Sequence, residues 1–205
     1  GFGVATDSLS NVYITGHIQG TVVVALASGV VTLTCTGDDA ILLLKLNSSG
    51  SFVWANKMDG ESASSGAGAG LNLAVDSVGN VYTTGYFDGT VDFDPGAAVY
   101  TLSSGGGYDI FVTMFDTDGA FGWAHGIGSS GQDQGSDVVV YDPNTIFITG
   151  RFRDTVDFDP GVGVLERSSN GLDDLFLLKI NVDGVTNPPG TPTATRTATP
   201  TRTAT

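Results

Sequence analysis

The strongest chemical feature of the sequence is a repeated acidic segment, Asp92-Phe93-Asp94-Pro95-Gly96 and Asp157-Phe158-Asp159-Pro160-Gly161. Alternate side chains of an extended strand point the same way. Each segment therefore puts two carboxylates on one side and a phenyl ring on the other. Calcium and other hard cations take several such oxygens, which makes Asp92, Asp94, Asp157 and Asp159 candidate calcium ligands. A second reading fits the same residues: the phenylalanine plugs a core while the aspartates cap a turn. Acid–base catalysis needs two carboxyls in different environments, and duplicated segments do not supply that difference. Asp116-Thr117-Asp118-Gly119 opens like a calcium loop but lacks the later acidic ligand, and reads better as a hairpin turn.

Other reactive residue types are sparse. His17 and His125 are the two histidines, and Cys35 is the single cysteine. No Gly-x-Ser-x-Gly elbow, phosphate-cradling loop or zinc-ligand spacing is present, so the sequence predicts no enzyme and no cofactor beyond calcium. Cys35 has no partner for an internal disulfide and reads as an incidental thiol. Asn47-Ser48-Ser49 is a glycosylation sequon. Trp54 and Trp123 can stack on sugars, but they recur at matching positions, which favours core packing.

Strands and turns must position these residues, because the composition argues against helices. Of 22 acidic residues all but Glu61 and Glu166 are aspartate, whose short carboxylate bonds nearby backbone amides in turns. Helical proteins favour glutamate. The net charge of −14 repels phosphate backbones and anionic lipid, and predicts neither a nucleic-acid partner nor a membrane-surface one. The longest apolar runs, such as Val22 to Ala27, fall far short of the roughly 18 residues of a membrane-spanning helix. A chain of 205 residues suffices for one domain with a sizeable core. The sequence opens on Gly1 with no signal peptide, which predicts a chain cut from something longer.

An internal repeat sets the architecture. Asn11-Val12-Tyr13-Ile14-Thr15-Gly16 aligns with Asn80-Val81-Tyr82-Thr83-Thr84-Gly85 and with Thr145-Ile146-Phe147-Ile148-Thr149-Gly150, a period of about 65 to 69 residues. At a fixed distance beyond each glycine stand the apolar runs opened by Ile41, Ile110 and Leu175. The Ile41 and Leu175 runs are apolar on both faces, as strands are when neighbouring layers cover both sides. Trp54 and Trp123 follow in units one and two, where unit three has Pro188. Short strands with glycine-ended turns between them predict an all-β fold of β-propeller-type blades, each a four-stranded antiparallel sheet, with the third incomplete. The units are 1–70, 71–136 and 137–186, the last lacking its final strand, followed by a Pro/Thr-rich tail over 187–205.

The Gly-Asn-Val-Tyr-x-Thr-Gly strand, the Asp-Phe-Asp-Pro-Gly segment, the Asp-Ile-Phe-Val strand and the Phe-x-Trp-Ala strand together resemble the SBBP family. This is the seven-bladed β-propeller repeat of bacterial secreted and surface proteins. The resemblance covers residues 1 to about 185 and implies a propeller-type fold and an extracellular or cell-surface location. It implies no shared activity. Unit one departs from it with Val23 to Ala27 in place of Asp-Phe-Asp-Pro-Gly, and Met114 replaces the lysine seen as Lys45 and Lys179. Tyr86, Arg151 and Arg153 follow the strand-ending glycines, where ligands of propellers often bind.

In the tail, Thr191, Thr193, Thr195, Thr197, Thr199, Thr201, Thr203 and Thr205 alternate with Ala, Arg and Pro. This segment cannot build a core. It fits an O-glycosylated stalk, an unmodified linker, or a strand that docks on another edge. Three blades do not close a ring and leave open edges and apolar faces. The chain is then a fragment of a longer propeller, half of a two-chain ring, or a head-to-tail polymer. The function expected is a non-catalytic, extracellular structural or adhesive scaffold that self-associates through open blade edges, with a glycan or another cell-surface molecule as a further partner. The alternative is a calcium- or carbohydrate-binding module of a larger secreted protein.

Overall fold

The computed structural model describes residues 1–26, 29–60 and 68–182, and every regular element among them is a β-strand. The strand pairings are all antiparallel. Unit one supplies β1 (Gly3–Thr6), β2 (Val12–Leu26), β3 (Gly29–Leu46) and β4 (Phe52–Gly60). Unit two supplies β5 (Gly68–Val75), β6 (Val81–Phe87), the short pair β7 (Thr90–Asp92) and β8 (Thr101–Ser103), then β9 (Asp109–Phe115) and β10 (Phe121–Ile127). Unit three supplies β11 (Gln134–Asp142), β12 (Thr145–Phe152), the short pair β13 (Thr155–Asp157) and β14 (Glu166–Ser168), then β15 (Asp174–Asn181).

Aspartate-capped turns make consecutive strands adjacent. Asp7 Oδ1 accepts the amides of Leu9 and Asn11, while its Oδ2 accepts Asn11 Nδ2 and the Tyr13 hydroxyl. Asp76 repeats the arrangement on Val78, Asn80 and Tyr82. Asn47 and Asp116 cap the next hairpin of their units, each accepting two amides on Oδ1, from Ser49 and Ser51 and from Asp118 and Ala120. A side chain short enough to reach its own turn satisfies donors that the reversal leaves unpaired. Glutamate, one methylene longer, does not fit this geometry, which accounts for the aspartate bias.

The expectation of four strands per sheet holds for the second sheet, in the order β5-β6-β9-β10. The first sheet has six, β1-β2-β3-β4-β7-β8, because β7 of unit two crosses over and pairs with β4 through Asp59↔Asp92 and Gly60↔Val91. The third has three, β11-β12-β15, beside the separate ribbon β13-β14. In unit one the position of the short pair is taken by a long hairpin, with Thr21↔Thr34 running out to Leu26↔Gly29. The identity of these hairpins shows in a cross-strand hydroxyl pair common to all three units: Thr21–Thr34, Thr90–Ser103 and Thr155–Ser168, at 3.0, 2.8 and 2.7 Å.

The sheets stack face to face around two cores, and a third, smaller cluster of Ile18, Cys35, Ala40 and Leu42 is buried in the first sheet. Tyr13, Ile41, Leu43 and Met58 of the first sheet meet Val81, Phe87, Phe111 and Phe115 of the second. Tyr82, Ile110, Val112 and Trp123 on its other face meet Val138, Ile146, Ile148 and Leu178 of the third. One interlock recurs at both junctions. In the central strand of each unit a threonine hydroxyl donates to a carbonyl of the neighbouring strand: Thr15 to Leu42, Thr84 to Phe111 and Thr149 to Phe176, at 2.9, 2.8 and 2.7 Å. Thr15 and Thr84 then sit on glycines of the next sheet. A Cβ on Gly70 would lie 2.0 Å from Thr15 Oγ1, and one on Gly135 would lie 2.1 Å from Thr84 Oγ1.

The Leu175 run, expected to be covered on both faces, is covered on one. Leu178 and Ile180 face the second core, whereas Leu175 and Leu177 are 86% and 74% exposed because no described strand lies beyond them.

Gly135→Ala should lower stability by about 1–3 kcal/mol, the usual cost of overpacking a close contact. Adding Thr84→Ala to it should recover part of the loss, giving a favourable coupling in a double-mutant cycle read by chemical denaturation.

Candidate functional site

The two Asp-Phe-Asp-Pro-Gly segments continue from β7 and β13 and fold alike. Asp92 Oδ1 accepts the amides of Asp94 and Tyr100 at 3.1 and 2.9 Å; Asp157 Oδ1 accepts those of Asp159 and Leu165 at 3.0 and 2.7 Å. Asp94 and Asp159 take the amides of Gly96 and Gly161. Backbone bonds from Phe93 to Tyr100 and from Phe158 to Leu165 close each loop at its base. Between the carboxylates the phenyl ring turns inward. Phe93 lies in the first core, edge-on to Phe87 at 5.3 Å, and Phe158 lies in the second, edge-on to Phe152 at 5.1 Å. The Leu165 and Asp159 amides hold the Asp157 carboxyl below the ordinary carboxylate range. Each first carboxylate thus ties its loop while the ring anchors it between sheets. Among the described residues no three His, Cys, Asp or Glu side chains converge on one point.

The remaining sequence candidates separate. His17 is exposed and stacked on Phe2. His125 is buried against Trp123, and burial pushes its pKa below the usual imidazole value. Cys35 is buried, its thiol donating to the Gly20 carbonyl. Trp123 is in the second core, and half-buried Trp54 covers the turn at Gly119, donating to the Thr117 carbonyl. Lys45 joins that clasp, with Nζ donating to Thr117 and lying 5.0 Å from the Tyr13 ring centre. In unit two Met114 fills the corresponding place beside the second core. The sequon residue Asn47 uses its carboxamide oxygen as a turn cap. The tail threonines, and the O-glycosylation read from them, lie outside the described residues.

Two residues of the strand-end group come together. Tyr86 and Arg151 line one cleft of about 130 Å³ with Tyr108, Gln132, Asp133 and Gln134, at the mouth of the junction between the second and third sheets. The tyrosine rings lie 4.8 Å apart at 57°. Arg151 donates to Gln134 Oε1 and to Asp173, both at 3.0 Å. Arg153, the third member, reaches the same Asp173 carboxylate from outside the cleft lining. Sequence reasoning missed Tyr108 and the Gln132–Gln134 segment. They belong to the loop before β9 and to the entry into β11, and no spacing rule joins those two places; the aromatic Tyr108 directly preceding a buried strand was the signal available.

At this cleft two carboxyls, Asp109 and Asp133, are buried, and neither is ion-paired among the described residues. Asp133 accepts the amides of Ser129 and Arg153, and its pKa is raised by burial. Asp109 accepts the Gly105 amide on Oδ2, while Oδ1 meets no donor in hydrogen-bond geometry. Burial, with Asp133 adding to it, pushes the Asp109 pKa up to about 6.

Compared with known proteins, the chain matches no family model and no curated sequence.

Two measurements follow. A folded-state pKa raised above the unfolded value means that the folded chain holds its proton more tightly, so Asp109 destabilises above pH about 6. That penalty is relieved as pH falls from about 6 towards the unfolded value of 3.8. Asp109→Asn should therefore be more stable than wild type at pH 7, by at most about 3 kcal/mol. The advantage should vanish near pH 4 when both proteins are unfolded in urea across this range. At the loops, Asp157→Ala removes the acceptor of the Asp159 and Leu165 amides and should lower the urea unfolding midpoint. Calcium or a chelator should leave the wild-type unfolding midpoint where it is; a rise with calcium that Asp157→Ala abolishes would assign the ion to these carboxylates.

Proposed function

We propose that the chain is a non-catalytic module of an extracellular structural or adhesive scaffold, built of β-propeller-type blades and working by association through its open faces. One observation carries this reading. Leu175 and Leu177 are 86% and 74% exposed, whereas their equivalents in the two preceding units, Ile41 and Ile110 and then Leu43 and Val112, are all 0%. The outward side of the third sheet is thus a copy of a side that forms core twice elsewhere. Burying a leucine side chain is worth about 1.5–3 kcal/mol, a substantial drive to cover this face.

At the opposite end one apolar position is open, although Leu42 and Leu44 on that side of the first sheet are buried. Val4 is 67% exposed, while its equivalents Leu73 and Val138 are both 4%. Gly1 lies against Gly16 as Gly70 pairs with Gly85 and Gly135 with Gly150, so the glycine position that receives a threonine in the second and third sheets is also present in the first. Thr149, already bonded to Phe176, is the knob that would enter it. A contact between unlike ends is heterologous and extends into a filament when its rotation does not close a ring. The resemblance to the SBBP repeat of secreted and surface proteins supports the extracellular setting, and the acidic surface disfavours nucleic acid as a partner.

Light scattering over a range of protein concentrations tests the reading. The expected result is a mass that grows with concentration, and that returns to 21.0 kDa in Leu177→Lys, whose side chain is already at the surface. A wild-type chain that stays at 21.0 kDa throughout would sink self-association as its function.

A further inference from the structure

We propose that the cleft between the second and third sheets is a binding site for a single neutral sugar ring, such as the end of a glycan. Its first support is that these residues are not part of the repeating framework. The position of Tyr86 is held by His17 in unit one and Arg151 in unit three; that of Tyr108 is held by Asp39 and Asp173. Gln134 has Ala69 as its counterpart before the paired glycine. The framework threonines, glycines and turn aspartates recur because packing requires them. The cleft side chains occur once, at one junction, and packing does not account for them.

The second support is unused hydrogen-bonding capacity. The hydroxyls of Tyr13, Tyr82 and Tyr100 donate to Asp7, Asp76 and the Ala124 carbonyl. Those of Tyr86 and Tyr108 have no partner among the described residues, although their rings touch. Gln134 accepts from Arg151 through Oε1, which leaves its amide NH₂ to donate, and Arg151 is held in place by Asp173. Amide and guanidinium, fixed in advance by their mutual bond and by Asp173, thus line one cleft with the two tyrosines, which lowers the ordering cost of binding.

Charge and size select the ligand. Asp133 and Asp173 border the site, and Asp39 and Asp88 lie close enough to Tyr86 to act on its hydroxyl, so an anion is repelled. Arg151 in the lining opposes a free cation. A neutral, hydroxyl-rich ring has an apolar C–H face for the tyrosines and a polar rim for the amide and guanidinium groups. At about 130 Å³ the cleft is well below the roughly 300–1,000 Å³ of drug-sized sites, so it fits one ring rather than a chain laid lengthwise.

A printed array of neutral, sialylated and sulfated glycans tests this, using the full chain and the Leu177→Lys variant so that self-association is measured separately. The expected result is binding to neutral glycans by both proteins. It should fall about tenfold or more in Tyr108→Ala and in Arg151→Ala, the loss expected when a stacking or bidentate contact is removed. Tyr108 and Arg151 are both exposed, and thermal unfolding of each variant separates lost binding from lost folding. Binding confined to acidic glycans, no glycan binding, or binding that folded Tyr108→Ala retains in full would each overturn the proposal.

Discussion

The contact on which the stack depends is a threonine hydroxyl fixed to the carbonyl of its neighbouring strand and seated on a glycine of the following sheet. Thr15 on Gly70 and Thr84 on Gly135 bring two backbones closer than any side chain at the glycine would allow. Face-to-face sheets ordinarily stand about 10 Å apart, separated by two layers of side chains. At these points one layer is missing, and the sheets are pinned at the strand centres. Everything outward from that pin can then be large. Tyr13, Phe87 and Phe111 fill the first core to one side, and Tyr82, Ile110 and Trp123 fill the second. The hydroxyl matters as well as the size, because its bond to the carbonyl turns a polar group buried between sheets into a satisfied one.

The acidic composition has a related explanation. Asp7, Asp76, Asp116, Asp92 and Asp157 each accept two backbone amides, so the carboxylates that make the chain so negative also close its turns and loops. A carboxylate accepting amides is a stronger acceptor than a neutral side chain, and most of these turns lie where water screens the accumulated charge. Asp109 marks the limit of the strategy. It is buried beside Asp133 with one oxygen unpartnered, and burial together with the neighbouring carboxyl raises its pKa.

Much of this was legible in the residues, and the rest was not for identifiable reasons. Strand periodicity around Tyr13, Tyr82 and Phe147, and the glycine-ended turns, depend on contacts within a few residues, so spacing alone found them. The dual reading of Asp-Phe-Asp-Pro-Gly contained the observed arrangement, with Phe93 and Phe158 inward and the aspartates on amides. The crossing of β7 onto β4 was not legible, because two backbone pairs at Asp59 and Gly60 decide it and no side-chain pattern announces them. Nor was the glycine seat. Gly70 and Gly135 look like any strand-entry glycine until it is known which sheet lies against which. The same ignorance hid the cleft, whose residues come from strand ends and loops brought together only by the stacking of two sheets.

The contrast between framework and variation bears on how such a chain acquires a role. Positions that touch the pin, the turn caps and the aromatic plugs are held to one residue type by local geometry, and they repeat. Positions at the strand ends beyond Gly16, Gly85 and Gly150 touch only the mouths of junctions, where His17, Tyr86 and Arg151 are equally tolerated. Sheets that share a repeated central framework can therefore carry different chemistry at the strand ends. The proposed association draws on the constant part, a face whose equivalents pack twice internally. The proposed recognition draws on the variable part, the tyrosine pair beside a clamped arginine, whose equivalents in unit one are His17 and Asp39. The two do not compete, because Leu175 and Leu177 lie on the outer face of the third sheet while the cleft opens at its junction with the second.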